Sequence, residues 1–415
     1  MMTKTVIVGA GPVGLWTAIQ IKAQNPDMEI EILEKRQDYQ RAHTIKLSIN
    51  TLNSLKVSKN SQYSKDIDAM RLAIVNPNTK INFDLFIGRY TNIKTNELEL
   101  ALKQCAKDMG INITIKTVKS LKEISTDVKY IIGADGAHSV VRGLIGDSKV
   151  TSENTIRDTL QYVVEMKYEA TSNDTMPVIL KRFQEKYQSR KICNFYVEES
   201  IGRMGAANNY PVSVRFFVDK DTYEALGEAT FIAPQTFKQH NTLPSKLQHD
   251  VNIWLNTRQK KGEQLITENF KITKIPLERY HSKIFAKQVN NQNIFLAGDA
   301  AGAVPYFRAL NAGFERAAKL GQCIALDINP NNTSKLVDEY QKWMLKSCKR
   351  ENFKAKIKYF IIRFITWLIY ISGQVFWQTN KYSAETIKDL TNNFSTLIAN
   401  QDKQHKQHNR LLNLS

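Results

Sequence analysis

The sequence predicts an α/β fold: a Rossmann-like dinucleotide-binding domain with an inserted antiparallel β-sheet substrate domain and C-terminal helices. Three observations carry it. A strand, a glycine-rich turn and a helix open the chain in TVIVGAGPVGLW, residues 5–16. Two further apolar strands end in acid–glycine pairs, Asp135-Gly136 and Gly298-Asp299. Between those pairs lies a stretch rich in β-branched and aromatic residues.

Val6, Ile7 and Val8 read as a buried parallel strand. Gly9, Gly11 and Gly14 then supply a tight turn, close backbone approach to a pyrophosphate, and close packing of the helix that Pro12 opens. Backbone N–H groups at that helix start would receive a diphosphate, helped by the positive end of the helix dipole. A second apolar strand in EIEILEKR, residues 29–36, delivers Glu34 where a ribose would sit. An acid there favours a ribose with free hydroxyls, so FAD or NAD fits better than NADP.

Further along, Leu98, Leu100, Ala101, Leu102, Cys105, Ala106 and Met109 form an apolar helical face ending at Gly110, and INITIK follows as a strand. YIIGADGAHSVVR, residues 130–142, is a strand leading into Asp135-Gly136 and a turn carrying Ser139 and Arg142. From about residue 159 to 219 the pattern is β-rich: TLQYVVEMKYEA, VILKRF, KICNFYVE and VSVRFFVD. The chain returns to the first domain through IPLERYHSKIFAKQV, residues 275–289. NIFLAGDAAGAVP, residues 293–305, is again a buried strand, with Gly298 and Asp299 at its carboxyl end. Ligands of open α/β sheets sit at the carboxyl ends of strands, so all three motifs can meet one extended ligand. The expected organisation is 1–158 and 286–345 for the nucleotide-binding domain, 159–285 for the β-rich substrate domain and 346–415 for a helical region.

A chain of 415 residues with 42% hydrophobic content can bury a large core in about two domains. Its four cysteines, Cys105, Cys193, Cys323 and Cys348, show no metal or disulfide spacing, which points to a reducing, cytoplasmic compartment and to no metal. The N-terminus enters the first strand at once, leaving no room for a signal peptide. Net charge is +18, which suits a lysine-rich solvated surface, an acidic protein partner, an anionic membrane surface or an anionic substrate. No zinc-finger, RNP or basic-helix motif accompanies it, so nucleic acid is not expected. YFIIRFITWLIYISGQVFW, residues 359–377, is almost wholly apolar, interrupted by Arg363 and preceded by Lys354, Lys356 and Lys358. It reads as a helix that packs on the core, lies at a membrane surface or spans the membrane, although a charge near the bilayer centre costs about 2.5–3.5 kcal/mol.

GAGPVG, IGADGAHSVVR and FLAGDA, in this order and at these separations, resemble the class A flavoprotein monooxygenases, the fold group of the p-hydroxybenzoate hydroxylases. The resemblance covers most of the chain, roughly to Ala325. It implies FAD along Gly9, Gly11, Pro12 and Gly14, contact of Asp135 and Gly136 with FAD and the NADPH or NADH route, and Gly298-Asp299 on the ribityl chain. EKRQDYQRAHTIKL, residues 34–47, is similar to the flavin domain of the MICAL proteins, with Ala42-His43 in place of an asparagine pair. That match implies FAD contacts from Glu34, Lys35, Arg36 and Arg41. VPYFRALNAGFE, residues 304–315, is similar to kynurenine 3-monooxygenase, with Arg308, Ala309 and Leu310 replacing a Gly-Gln-Gly. Pro305 and Asn311 would then lie on the cofactor, and Lys46, Tyr306 and Arg308 near the reacting ring. The family reaction passes electrons from NAD(P)H to FAD and inserts one oxygen atom through a flavin C4a-hydroperoxide into an organic, often aromatic, small-molecule substrate. MICAL-like oxidation of a protein partner, a non-hydroxylating flavin oxidase or reductase, and an FAD-stabilised binding module are the alternatives.

Overall fold

Strands buried on both faces build the first sheet. In the computed structural model of the chain, which describes residues 4–37, 43–55, 61–75, 81–84, 88–146, 154–171, 197–202, 205, 209–236, 242–259, 263–304, 308–325 and 333–375, β1 (Lys4–Val8) is buried from Thr5 onward. Continuous burial of this kind belongs to a parallel strand covered by helices. β1 lies between β2 (Glu29–Glu34) and β7 (Val128–Gly133), parallel to both. β6 (Asn112–Ile115) extends the sheet beyond β2, and β13 (Gln292–Leu296) extends it beyond β7. The edge strand β12 (Ala286–Val289) is antiparallel. The chain leaves β1 towards β2 on one side while β7 adds on the other, so the crevice for a ligand opens at the carboxyl end of β1.

The helix Pro12–Gln24 has almost no polar face because it is sandwiched between this sheet and the helix Ala309–Ala325. Trp16 stacks on Phe314 with ring centroids 4.8 Å apart and also donates from its indole N–H to the Phe314 carbonyl at 3.2 Å. The helix Thr95–Asp108 buries Leu98, Leu102, Cys105 and Ala106, and Gly110 follows it with φ +74, a left-handed stop that favours glycine. Burial pushes the Cys105 thiol up to about 12, which keeps it a protonated packing group.

The second sheet is antiparallel, in the order β14 (Gly302–Ala303), β11 (Leu265–Ser282), β8 (Thr155–Ala170), β10 (Tyr210–Val218) and β9 (Val197–Ile201). Period-two alternation sorts its faces. Val164, Met166 and Tyr168, with Val212, Val214 and Phe216, pack under the helix Ser245–Gln259 through Leu247, Val251 and Trp254. The alternate residues of β8, among them Glu165 and Lys167, take the opposite face. The segment 275–282, which the sequence placed on the return to the first domain, is still paired with β8, and the return occurs at Ala286. VILKRF and most of KICNFYVE fall outside the described residues.

A small sheet of β3 (Thr44–Ser48), β5 (Gly88–Lys94) and β4 (Asn82–Asp84) joins the two layers. Asn92 donates from its side chain to the Ile201 carbonyl at 2.8 Å, tying β5 to β9. The long helix Thr333–Val375 docks on both. Tyr340, fully buried, donates to the Leu296 carbonyl at 2.9 Å, and the Gln341 side chain accepts from the N–H groups of Phe285 and Ala286. Further on, Ala355 and Tyr359 pack against Val163, Phe217 and Leu277 of the second sheet. Among the described residues no helix is long and apolar enough to cross a membrane.

Candidate cofactor site

The glycine turn divides into positions that need glycine for the fold and one that does not. Gly9 has φ +106, and a Cβ there would lie 2.6 Å from the Ala134 carbonyl oxygen. A Cβ on Gly14 would lie 2.0 Å from the Gly9 carbonyl oxygen. A Cβ on Gly11 meets nothing within 4 Å. Gly11 is the extended residue before Pro12, which begins the helix, and no side chain caps that end. The uncapped N–H groups of a helix start and open space in front of the middle glycine fit a pyrophosphate. Glu34 stands at the rim. One carboxylate oxygen accepts from the Ala10 N–H at 2.7 Å, and the other from its neighbour Arg36 N–H at 2.9 Å. Lys35 and Arg36 are exposed, and Arg41 lies outside the described residues.

Asp135 organises the second motif rather than projecting from it. Its carboxylate accepts from the Ser139 hydroxyl at 2.5 Å and from the Val140 N–H at 2.6 Å, and Ser139 in turn caps the helix Val140–Ile145 by accepting from the Arg142 N–H at 3.0 Å. Gly136 makes the turn with φ +86. Arg142, buried, donates to the carbonyls of Ala137 at 2.5 Å and Ala300 at 3.0 Å, so its guanidinium fastens the second motif to the third. The Tyr280 ring lies 5.6 Å from that guanidinium, and its hydroxyl donates to the Asp299 carbonyl at 2.9 Å. Burial, with the charge of Asp299 behind it, pushes the Tyr280 phenol well up and keeps it a donor.

Gly298 has φ +58, and Val13 of the first helix fills the space beside it and beside Gly313. The Gly298-Asp299 turn therefore sits against the start of the helix Pro12–Gln24, and the three motifs converge on one crevice. Asp299 is half-buried there. Arg142 and Tyr280 were not singled out as site residues from the sequence. The signal for Arg142 was its place inside the second motif, whereas nothing local marks Tyr280, which reaches the site from β11.

The remaining expected site residues have definite places. Asn311 is buried, with its side-chain oxygen accepting from the Ser48 N–H and its nitrogen donating to the Lys46 carbonyl, each at 2.9 Å. It clamps β3 to the helix Ala309–Ala325. Asn311→Leu should cost about 1–3 kcal/mol because it leaves a buried N–H and carbonyl without that partner; urea unfolding checks this, and an unchanged midpoint would contradict it. Lys46 places its ammonium 5.3 Å from the centre of the Tyr90 ring. Arg308 is buried and pairs with Glu351 of the long helix at 3.3 Å. Burial would raise the Glu351 carboxyl, but Arg308, with Lys354 and Arg350, holds it below its ordinary value. Arg308 thus secures the C-terminal helix to the loop after the third motif. Pro305 and Tyr306 lie outside the described residues. Among the described residues no group of three or more His, Cys, Asp or Glu could hold a metal ion.

Residues 118–350 match the family described as FAD binding domain, and the chain belongs to that family. No curated protein matches the sequence. Among solved structures it is similar to CabE, an aromatic hydroxylase from angucycline biosynthesis, with TM-score 0.55 and 13% identity over 96% of this chain and 73% of that one. It is similar to CtdE in complex with FAD and its substrate, with TM-score 0.54 and 14% identity over 86% and 89%. It is also similar to the Diels-Alderase PyrE3 of pyrroindomycin biosynthesis, with TM-score 0.52 and 15% identity over 89% and 77%. Likeness at such identities is likeness of fold.

Proposed function

We propose that the protein is an FAD-dependent monooxygenase that uses NADPH or NADH and inserts one oxygen atom into a small organic molecule. The observation that carries this is the convergence of the glycine turn, Asp135-Gly136 and Gly298-Asp299 on one crevice, with a second sheet laid beside it. Its FAD family supports the same reading, as do neighbours that include an aromatic hydroxylase. The N–H groups at the start of Pro12–Gln24 would hold the diphosphate, Glu34 the ribose, and the turn at Gly298-Asp299 the ribityl chain. FAD, when bound, supplies the redox chemistry between NAD(P)H, oxygen and substrate. The protein would position the ring in the crevice and keep water from it.

The reading is tested by following NADPH and NADH oxidation, hydrogen peroxide and hydroxylated product with a panel of phenols and aromatic acids. Oxidation of either nucleotide with FAD bound is expected. With Arg308, Ala309 and Leu310 where the resembling loop has Gly-Gln-Gly, peroxide should exceed product. Tight coupling would remove that expectation. FAD retention without any nucleotide oxidation would favour a non-redox role, as the Diels-Alderase neighbour illustrates.

A second observation concerns where the enzyme works. Phe353, Ile357, Phe360 and Phe364 recur at helical spacing as exposed side chains, preceded by exposed Lys346, Lys349 and Arg350 and with exposed Lys356 among them. An aromatic and basic face suits peripheral contact with an anionic membrane. Glu351, Ala355 and Lys358 are buried, so removing the segment would strip the core as well, and Phe353→Glu with Phe360→Glu is the cleaner test. The wild type should sediment with phosphatidylserine vesicles at low salt and the double variant should not. Equal sedimentation of both, or none by the wild type, would leave this face without a lipid role.

A further inference from the structure

A buried ionic cluster that joins two layers lies outside the three motifs, distinct from the buried Arg258–Glu263 pair within the second domain. Glu165 of β8 is 1% exposed and sits opposite Arg215 of β10 in register. Its carboxylate accepts from Arg215 Nε and from the Ser213 hydroxyl, each at 3.0 Å, and lies 3.0 Å from Lys167 Nζ. Lys167 in turn contacts Nδ1 of His43, the residue just before β3, and Arg215 reaches over to the Thr44 carbonyl at 3.4 Å. The cluster therefore spans the seam between the second sheet and the segment that leads out of the glycine-turn domain. Two hydrophobic side chains of similar volume would stitch such a seam at lower cost than desolvated charges. Buried charge gathered at one point of a seam between two layers, where ligand sites are preferentially found, is the pattern of a working site.

The hydrogen-bond chemistry states what that site would take. Because Lys167 donates to Nδ1 of His43, the neutral imidazole carries its hydrogen on Nε2. Ammonium and imidazole together then present donors. Both side chains remain reachable, Lys167 at 25% and His43 at 29% exposure, while Glu165 and Arg215 are shut away. We infer that Lys167 and His43 form the site that receives an anionic oxygen of the substrate, a carboxylate or a phenolate, with Glu165 and Arg215 as positioning residues. This rests on the monooxygenase reading and narrows its substrate class.

The charges around the cluster agree with that assignment. Burial would raise the Glu165 carboxyl, yet the charges of Arg215 and Lys167 hold it at about 2, so it stays an acceptor. Burial lowers the Lys167 ammonium; Glu165 opposes this, but Arg215 and Lys271 of β11 add to the lowering. An arriving anion would relieve that strain on the ammonium. Glu198 of β9 stands opposite Arg215 in register, and Lys46 shares the Thr44 face of β3.

Calorimetric titration with benzoate, and with benzamide as its neutral isostere, tests this on the FAD-loaded full chain. The wild type should bind benzoate at least tenfold more tightly than benzamide, since the ionised ligand gains a charge-assisted bond. Lys167→Met should abolish that preference and Lys167→Arg should keep it. Wild-type benzoate affinity should fall as pH rises through the lowered Lys167 value, because the deprotonated amine is no longer cationic, while benzamide affinity stays level. Equal binding of the two probes, or a preference unaltered in a folded Lys167→Met protein, would overturn the assignment. If Lys167→Met does not fold, the wild-type pH series decides alone, and a flat benzoate profile overturns it. These heats can fail while FAD stays bound and NAD(P)H is oxidised, which separates this inference from the function it rests on.

Discussion

Gly11→Asp should give a folded protein that holds no FAD. A side chain at residue 11 meets no protein atom within 4 Å, so the fold has room for it. The space it enters is where the diphosphate would lie against the helix start. Placing a carboxylate against phosphate oxygens is a like-charge contact costing several kcal/mol, on the order of 100-fold or more in affinity. Gly14→Ala is the contrasting change, because its methyl would lie 2.0 Å from the Gly9 carbonyl oxygen and the turn itself must shift. Circular dichroism with FAD titration distinguishes the two. A Gly11→Asp protein that binds FAD as the wild type does would move the cofactor away from this turn.

Arg142→Met carries the other large effect. The variant keeps the bulk and loses the donors that hold the Ala137 and Ala300 carbonyls together across the second and third motifs. The buried Ala300 carbonyl left without this partner, with the part-buried Ala137 carbonyl beside it, costs about 1–3 kcal/mol. Stability in urea should fall by that amount, and FAD should dissociate faster because the Gly298-Asp299 turn is no longer tied to Asp135-Gly136. Unchanged stability with unchanged FAD retention would show that the bridge is dispensable.

These two residues also mark how far the sequence could be read. Gly9, Gly11 and Gly14 were legible because a strand, a tight turn and a helix are fixed by neighbours a few residues away. The same holds for the strands that end at Gly133 and Leu296, each a short apolar run before an acid–glycine pair. Arg142 is different, since its partners at Ala300 are distant in sequence and only the sheet order brings them near. Asn311 and Arg308 show the same limit. Proximity to the third motif suggested cofactor or substrate contacts, yet the Asn311 amide grips β3 and Arg308 grips Glu351. The Glu165 and Lys167 cluster left a trace, two charged residues alternating with Val164, Met166 and Tyr168 in a buried strand, but His43 and Arg215 join it only through tertiary packing.

FAD binding in this crevice is tested most directly by the visible spectrum of the purified protein. After incubation with FAD and removal of the excess by gel filtration, the protein should show the two absorption bands of oxidised flavin and release free FAD on denaturation. A colourless protein that takes up no added FAD while folded would contradict the account.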